Sequence, residues 1–392
     1  MLRAYKFRIY PNIGQSVLLE KHFGCARWIW NWALAKRIEL WQSKKKSISC
    51  IGLNNQIPSL KEAEETKWLS EVNAQSLQSS TRNLDAAYTR FFREKSGFPK
   101  FKSKRGRQSF QCPQRCSVNF DSKTVSIPKV PNLKYRDDRK FKGEIKTVTI
   151  SRTPTKKYFA SILVENGKKE PNPRKKINAN DVVGIDLGLK DFCTLSTGES
   201  VKNPKRLQFC LRKLKRTQRS LSRKKKGSTN FEKCRKRLAI LHEKVVNQRK
   251  DFQHKLSTRL IRENKAVALE TLNVSGMQQN HRLAQSISDS AWSQFVLMLE
   301  YKARWSGKTV LRIGQFQPSS KLCTCGVLNH ELKLADRTWK CGSCGATHDR
   351  DVLAANNIKR MALNPQNFLS AGSRDVRPVE SHRGSLKQEL VG

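Results

Sequence analysis

The sequence predicts an α/β domain joined to a small β-barrel or sheet, and three observations carry that expectation. Two apolar, β-rich runs, VVGIDLGL from Val182 and AVALE from Ala266, are separated by two long helical stretches. Short strand-like segments crowd residues 108–165, and apolar residues recur at helical spacing before them.

In chain order, Ala4, Phe7 and Ile9 lie among basic residues and read as a strand closed by Pro11. From about Gly14 the spacing of Leu18, Leu19, Phe23, Trp28, Ile29, Trp32 and Leu34 is helical. A second helix is expected over Asn73–Phe92, with Leu77, Leu84, Tyr88 and Phe92 on one face. The segment GFPKFKSKRGR then breaks the helix with Gly97 and Pro99 and forms a basic loop. Strands are expected in SFQCP, SVNF, TVSIP, KTVTISR and YFASILVEN, with Pro, Asn, Asp and Lys in the turns between them. The polar, Pro-bearing stretch GKKEPNPRKKINAND reads as a linker, with a new domain from about Asn180. That domain opens on VVGIDLGL and a hairpin, DFCTLSTGESVK, turning at Thr197 and Gly198. Two basic helices follow, joined by KKKGST. The first carries Leu207, Leu211, Leu214 and Leu221, and the second Leu238, Leu241, Val245, Phe252 and Leu256, the rhythm of a helical hairpin. No periodicity organises the chain after about Asn364, which reads as a disordered tail.

Composition narrows the partners. The 392 residues hold 78 Lys and Arg against 32 Asp and Glu, a formal net charge of +46. Such an imbalance suits a long polyanion. Between Lys202 and Lys226, twelve basic residues meet no acid at all, where a merely solvated face would mix signs. There is no apolar run of membrane-spanning length, and MLRAYKFRIYPN lacks the apolar core of a signal peptide. Nucleic acid is the expected partner. The odd total of eleven cysteines argues against a secreted disulfide scaffold and for a reducing cytoplasm.

Against that background three acids stand out: Asp186 and Glu270, each at the end of an apolar strand, and Asp351, at the start of a helix in THDRDVLAANNI. Three buried carboxylates repel one another unless divalent cations neutralise them. Collected from distant segments, they suggest a Mg²⁺ site acting on a phosphodiester. A solvated acid at a strand end is the bland alternative for any one of them.

Four of the cysteines, Cys323, Cys325, Cys341 and Cys344, form a local group. WKCGSCG is a good metal knuckle, but KLCTCG is one residue short. Sulfurs flanking a single residue share one side of an extended chain but lie about 6.6 Å apart, so they converge on one ion only through a turn. The spacing resembles a four-cysteine zinc ribbon, with His330 or His348 as substitute ligands and free thiols as the alternative. Its zinc would be structural, because four thiolates leave no open position. Cys344 lies seven residues before Asp351, which puts the ribbon beside the third acid.

Along nearly its whole length the chain resembles the TnpB family of insertion-sequence transposons, relatives of type V CRISPR effectors. The likeness rests on YKFRIYPN, FGCARWIWNWAL, GFPKFKSK, GIDLGLKDF, LETLNVSGM, SISDSAWSQFVLMLEYKARWSGK, PSSKLC and RTWKCGSCGATHDRD. It implies an RNase H-like (RuvC) core with Asp186, Glu270 and Asp351 as catalytic carboxylates, Asp349 being a less favoured third acid. It implies a wedge-like β-barrel over 1–12 and 97–170, interrupted by a helical recognition domain over 13–96. A linker at 171–179, nuclease segments at 180–318 and 347–363, a ribbon at 319–346 and a disordered tail at 364–392 complete the expected plan. Two positions depart from the family pattern: C-x-C replaces C-x2-C, and Leu353 stands where the family carries Asn, removing a polar group from the region near the metals.

The resemblance implies an RNA-guided DNA endonuclease, cytoplasmic and nucleoid-associated in a prokaryote. It would act as a monomer bound to one guide RNA from the transposon end and cut double-stranded target DNA beside a short flanking motif. Base pairing would then choose the sequence, while the protein holds the duplex by its phosphates. Two Mg²⁺ ions would serve catalysis, bridged by Asp186 and held singly by Glu270 and Asp351, with one structural Zn²⁺ on the cysteines. The helix NAQSLQSSTRNL is a candidate groove reader through Gln75 and Gln78, since glutamine can pair with adenine edges. A strand-joining transposase, an RNA-guided repressor with an inactive nuclease and a plain RNA-binding protein are the rivals. The last leaves the three acids without a role.

Overall fold

The computed structural model describes residues 1–94, 96–173, 177–333 and 335–364, and the chain divides into two compact units at Lys169/Glu170. The expected disordered tail lies outside the described residues from 365 on, as do residues 174–176 of the expected linker.

The first unit begins with strand β1 (Leu2–Tyr10) and helix α1 (Ile13–Lys44). Asn12 caps α1 in a capping box: its side chain accepts from the Gln15 amide, and the Gln15 side chain accepts from the Asn12 amide. Short helices α2 (Cys50–Asn54) and α3 (Ile57–Glu62) lead to α4 (Ala74–Glu94). Strands β2 (Gln108–Cys112), β3 (Ser117–Asn119), β4 (Thr124–Ile127), β5 (Val130–Tyr135), β6 (Glu144–Arg152) and β7 (Tyr158–Glu165) complete the unit. They join β1 in a seven-stranded antiparallel sheet of order β2-β6-β7-β1-β5-β4-β3. Phe110 of β2 and Val125 of β4, near opposite ends of that order, share one core with Leu19 and Phe23 of α1. This is the wedge-like barrel, with the N-terminal strand near its middle. The sequence reading missed β5, whose Pro131 and Asn132 look like turn residues. They sit where the β4–β5 register shifts, with Asn132 at φ 54°, while Val130, Leu133 and Tyr135 are buried.

The second unit opens on β8 (Val182–Leu187), β9 (Asp191–Leu195) and β10 (Ser200–Lys202), an antiparallel meander. The basic hairpin follows, as α5 (Arg206–Ser222) and α6 (Thr229–Glu263), the latter capped by Ser228. Next come β11 (Ala266–Glu270), α7 (Val274–Met277), α8 (Ala284–Ser290), α9 (Trp292–Trp305) and β12 (Thr309–Ile313). A two-stranded ribbon, β13 (Thr338–Lys340) and β14 (Thr347–Asp349), runs directly into α10 (Arg350–Leu363). The five-stranded sheet has the order β10-β9-β8-β11-β12, with β8, β11 and β12 parallel. One face packs on α6 and α9 through Val183, Ile185, Val267 and Leu269, and the other on α10 through Val182, Ala266 and Ala268. Helices on both faces of a mixed sheet are the RNase H-like arrangement. No helix among the described residues is long and apolar enough to cross a membrane.

Candidate metal-binding active site

The site follows from strand geometry. Strands β8 and β11 run parallel in register, with Ile185 opposite Leu269. Successive side chains in a strand alternate faces. Ile185 and Leu269 are buried toward α6 and α9, so the next residues on each strand, Asp186 and Glu270, belong to the α10 face. Gly184 lets α10 approach that face. A Cβ there would lie 2.0 Å from the Ala355 carbonyl oxygen. The first turn of α10 then supplies Asp351.

Asp186 lies within electrostatic reach of the other two acids. Burial, followed by the negative charges of Glu270 and Asp351, pushes Asp186 up to about 7, against the pull of Arg350 and Arg337. Burial also raises Glu270, offset in part by a hydrogen bond from the Ser319 hydroxyl to its Oε1. Arg337 Nη1 donates to Asp351 Oδ2 at 3.1 Å and to Oδ1 at 3.3 Å. Asp349 has another job. Its Oδ1 accepts the amides of Asp351 and Val352 at 3.0 and 2.9 Å, capping α10. Asp351 is thus the acid whose charge reaches Asp186.

Three supporting residues escaped the sequence reading. Ser319 orients Glu270. Asn357, buried on α10, donates Nδ2 to the carbonyls of Ser319 and Leu322 at 2.8 and 2.6 Å, fixing the loop that carries Ser319. Arg337 pairs with Asp351. The asparagine pair in the apolar run VLAANNI was the available signal for one of them. Leu353 requires a correction. It does not face the carboxylates but is buried with Leu332, Trp339, Cys323 and Cys341 in the apolar core of the ribbon. Two residues along a helix turn a side chain to the opposite face, so Leu353 packs in the ribbon core.

The four ribbon cysteines fit a zinc ion. Their Sγ atoms all lie within 4.8 Å of one another, and among the described residues no other three His, Cys, Asp or Glu ligand atoms gather so closely. Cys323 and Cys344 are 3.6 Å apart, and Cys325 and Cys341 3.8 Å. A tetrahedron of roughly 2.3 Å Zn–S bonds places sulfurs about 3.8 Å apart. The short knuckle converges because it turns. Gly326, at φ +95°, donates its amide to Cys323 O at 3.0 Å, and Cys323 donates its own to Val327 O at 2.9 Å. His348 Nε2 lies 3.0 Å from Cys323 Sγ, whereas His330 is exposed and outside the cluster.

The candidate nucleic-acid residues are less sharply placed. Gln75 and Gln78 are half-buried on the first two turns of α4, and Gln75 Nε2 donates to Gln114 Oε1 at 2.6 Å. On α5, Leu214 is buried while Arg212, Lys213, Lys215, Arg216 and Arg219 are exposed.

Comparison with known proteins fits this geometry. Residues 161–281 match a family described as "Probable transposase", residues 1–46 one described as "Helix-turn-helix domain", and residues 292–358 one described as "Cas12f1-like, TNB domain". Two relatives are each named "Putative RNA-guided DNA endonuclease". One, from Streptomyces pristinaespiralis, is 38% identical over 99% of this chain and 96% of its own length. The other, InsQ of Escherichia coli K12, is 31% identical over 91% of each chain. The chain belongs to the TnpB family. A Cas12f1 complex with single-guide RNA and target DNA shares the fold of this TnpB-family chain. It has a TM-score of 0.54 at 14% identity, over 92% of this chain and 98% of that one. The label attached to residues 1–46 does not describe their structure, which is strand β1 followed by the single long helix α1.

Proposed function

We propose that this protein is a transposon-encoded, RNA-guided DNA endonuclease that hydrolyses target DNA beside a short flanking motif with two Mg²⁺ ions. The observation that carries the reading is the burial of Asp186 within electrostatic reach of Glu270 and Asp351, which lifts its carboxyl to about 7. Carboxylates brought together at that cost suit hard divalent cations with oxygen ligands. Asp186 would hold both ions, Glu270 and Asp351 one each. When bound, such ions supply a nucleophilic water and stabilise the departing oxygen of the phosphodiester.

The chain's own residues do the rest. Ser319 fixes the Glu270 carboxylate by donating to Oε1, which leaves Oε2 free of that bond. Arg337 and Arg350 place positive charge beside the acids, where an incoming phosphate also carries negative charge. The exposed cations of α5 hold nucleic-acid phosphates without reading sequence. Gln75 and Gln78 are proposed readers of the flanking duplex, and the RNA is proposed to come from the transposon end. Cys323, Cys325, Cys341 and Cys344 would hold one structural Zn²⁺.

The test is cleavage of a plasmid library with a randomised flanking motif, by protein purified with its co-expressed transposon-end RNA. Mg²⁺ is compared with EDTA, and wild type with Asp186→Ala. Guide-directed cutting that needs Mg²⁺ and disappears in the variant is expected. Joined strands would point to a transposase. Guided binding by folded protein without cutting would make it a repressor.

A further inference from the structure

The C-terminal turns of α4 and the loop after them form an exposed aromatic cluster whose size and setting exceed what folding requires. Four rings meet there. Phe91 and Phe92 have centroids 5.0 Å apart, Phe98 stands edge-on to Phe91 at 5.4 Å, and Tyr88 contacts Phe92 and Phe98 at 6.3 and 5.6 Å. Phe92 is nevertheless 74% exposed, Phe98 45% and nearby Phe101 59%. Contiguous exposed rings on a soluble chain mark a binding surface.

Two further observations identify the occupant. The first is charge. Residues 88–107 contain eight Lys and Arg against a single acid, Glu94. A second copy of this chain would bring the same sign to the same rim, whereas a polyanion is complementary to it. The second is rigidity. The loop is pinned to α1 by three hydrogen bonds: Trp30 Nε1 to Lys100 O at 3.0 Å, Asn31 Nδ2 to Lys102 O at 2.9 Å, and the Lys102 amide to Asn31 Oδ1 at 2.7 Å. Phe98 and Phe101 are therefore presented in fixed positions, which lowers the ordering cost of binding. Aromatic rings interleaved with cations are what unpaired bases stack on while the backbone is neutralised. A duplex hides its bases and offers such rings only its ends.

We propose that Phe92, Phe98 and Phe101 form a stacking platform for the unpaired bases of single-stranded RNA. The proposal rests on the reading of this chain as a nucleic-acid-binding protein and adds to it a surface that discriminates single from paired strands. Full-length protein is titrated with a labelled unstructured oligoribonucleotide and with a blunt RNA duplex, each over a range of salt. Phe92→Ala with Phe98→Ala is expected to weaken single-strand binding tenfold or more. Duplex affinity should stay within twofold, and the salt slope should not change, because no counterion-releasing cation is removed. Phe92→Trp, which enlarges the stacking face, should bind the single strand at least as well as wild type. Equal single-strand affinities in wild type and double variant overturn the platform, as does a parallel loss on both probes. Loss of self-association in the double variant, with single-strand affinity intact, would assign the cluster to a dimer and also overturn it. Wild type that binds neither probe overturns both this proposal and the nucleic-acid reading beneath it.

Discussion

Arg337 grips Asp351 with one guanidinium nitrogen, Nη1 lying 3.1 and 3.3 Å from the two carboxylate oxygens. The pair links the ribbon to the first turn of α10, since Arg337 immediately precedes β13. An ion pair this open to solvent contributes up to about 1 kcal/mol. Arg337→Ala should therefore slow single-turnover cleavage at saturating Mg²⁺ by about fivefold while guide RNA still binds. Arg337→Lys should recover most of the rate, because a single nitrogen makes both contacts and an ammonium can supply one. A full rate in Arg337→Ala would show that Asp351 needs no such partner.

The raised pKa of Asp186 makes stability depend on pH in a definite direction. Folding lifts this carboxyl from 3.8 to about 7, so between those values the folded chain binds more protons than the unfolded one. The contribution is present in full below about pH 4 and is lost as pH rises through 7. It amounts to something on the order of 4 kcal/mol. In Mg²⁺-free buffer Asp186→Asn should thus melt higher than wild type at pH 8, with the gap closing toward pH 4. Mg²⁺ should raise the wild-type melting temperature more at pH 8 than at pH 5 and leave the variant nearly unmoved. Thermal melts across this range decide the matter, and identical slopes in the two proteins would remove Asp186 from a buried acidic cluster.

Much of this site is legible in the sequence because each acid interrupts or ends a strong local pattern. Asp186 and Glu270 end apolar strands, Asp351 starts a helix, and the cysteines sit at ligand spacing. The supporting residues are not legible because their roles depend on contacts between distant segments. Ser319 reaches Glu270 across 49 residues, and Asn357 meets the Ser319 carbonyl across 38. Leu353 shows the opposite failure. Its distance in sequence from Asp351 suggested the metal region, but helix geometry sends it into the ribbon core. Strand β5 was hidden by Pro131 and Asn132, whose turn chemistry is real but is used inside a bulge.

Gly184 controls the distance between α10 and the sheet. A methyl group there would lie 2.0 Å from Ala355 O and 2.9 Å from Lys359 Cβ, and neither neighbour is the end of a flexible side chain. In Gly184→Ala the helix must move away and carry Asp351 with it. Displacement of a catalytic group by about 1 Å costs on the order of 100-fold in rate. Overpacking itself costs about 1–3 kcal/mol. The variant should melt lower, bind RNA normally and cut about 100-fold more slowly. Cleavage at the wild-type rate would mean that α10 does not set the position of the third acid.

Removing zinc should disable a site that contains none of it. The ribbon strands pair Thr338 with Asp349, and Asp349 both ends β14 and caps α10 at Asp351. Arg337, one residue before β13, holds the Asp351 carboxylate. Both restraints on Asp351 thus hang on a ribbon whose core, Leu332, Trp339 and Leu353, is small and depends on the cysteines beside it. Such small units fold only with their metal. Protein stripped with a zinc-selective chelator should lose cleavage at least tenfold in excess Mg²⁺, while guide RNA binding through the basic helices stays within a few fold. Added Zn²⁺ should restore cutting, and metal analysis should count about one zinc per chain. Cys341→Ser, at a buried ligand, should reproduce the stripped state, whereas His348→Ala should keep its zinc because four sulfurs already complete the tetrahedron. Full-rate cleavage by zinc-free protein would separate the ribbon from the chemistry and leave Asp349 alone to position Asp351.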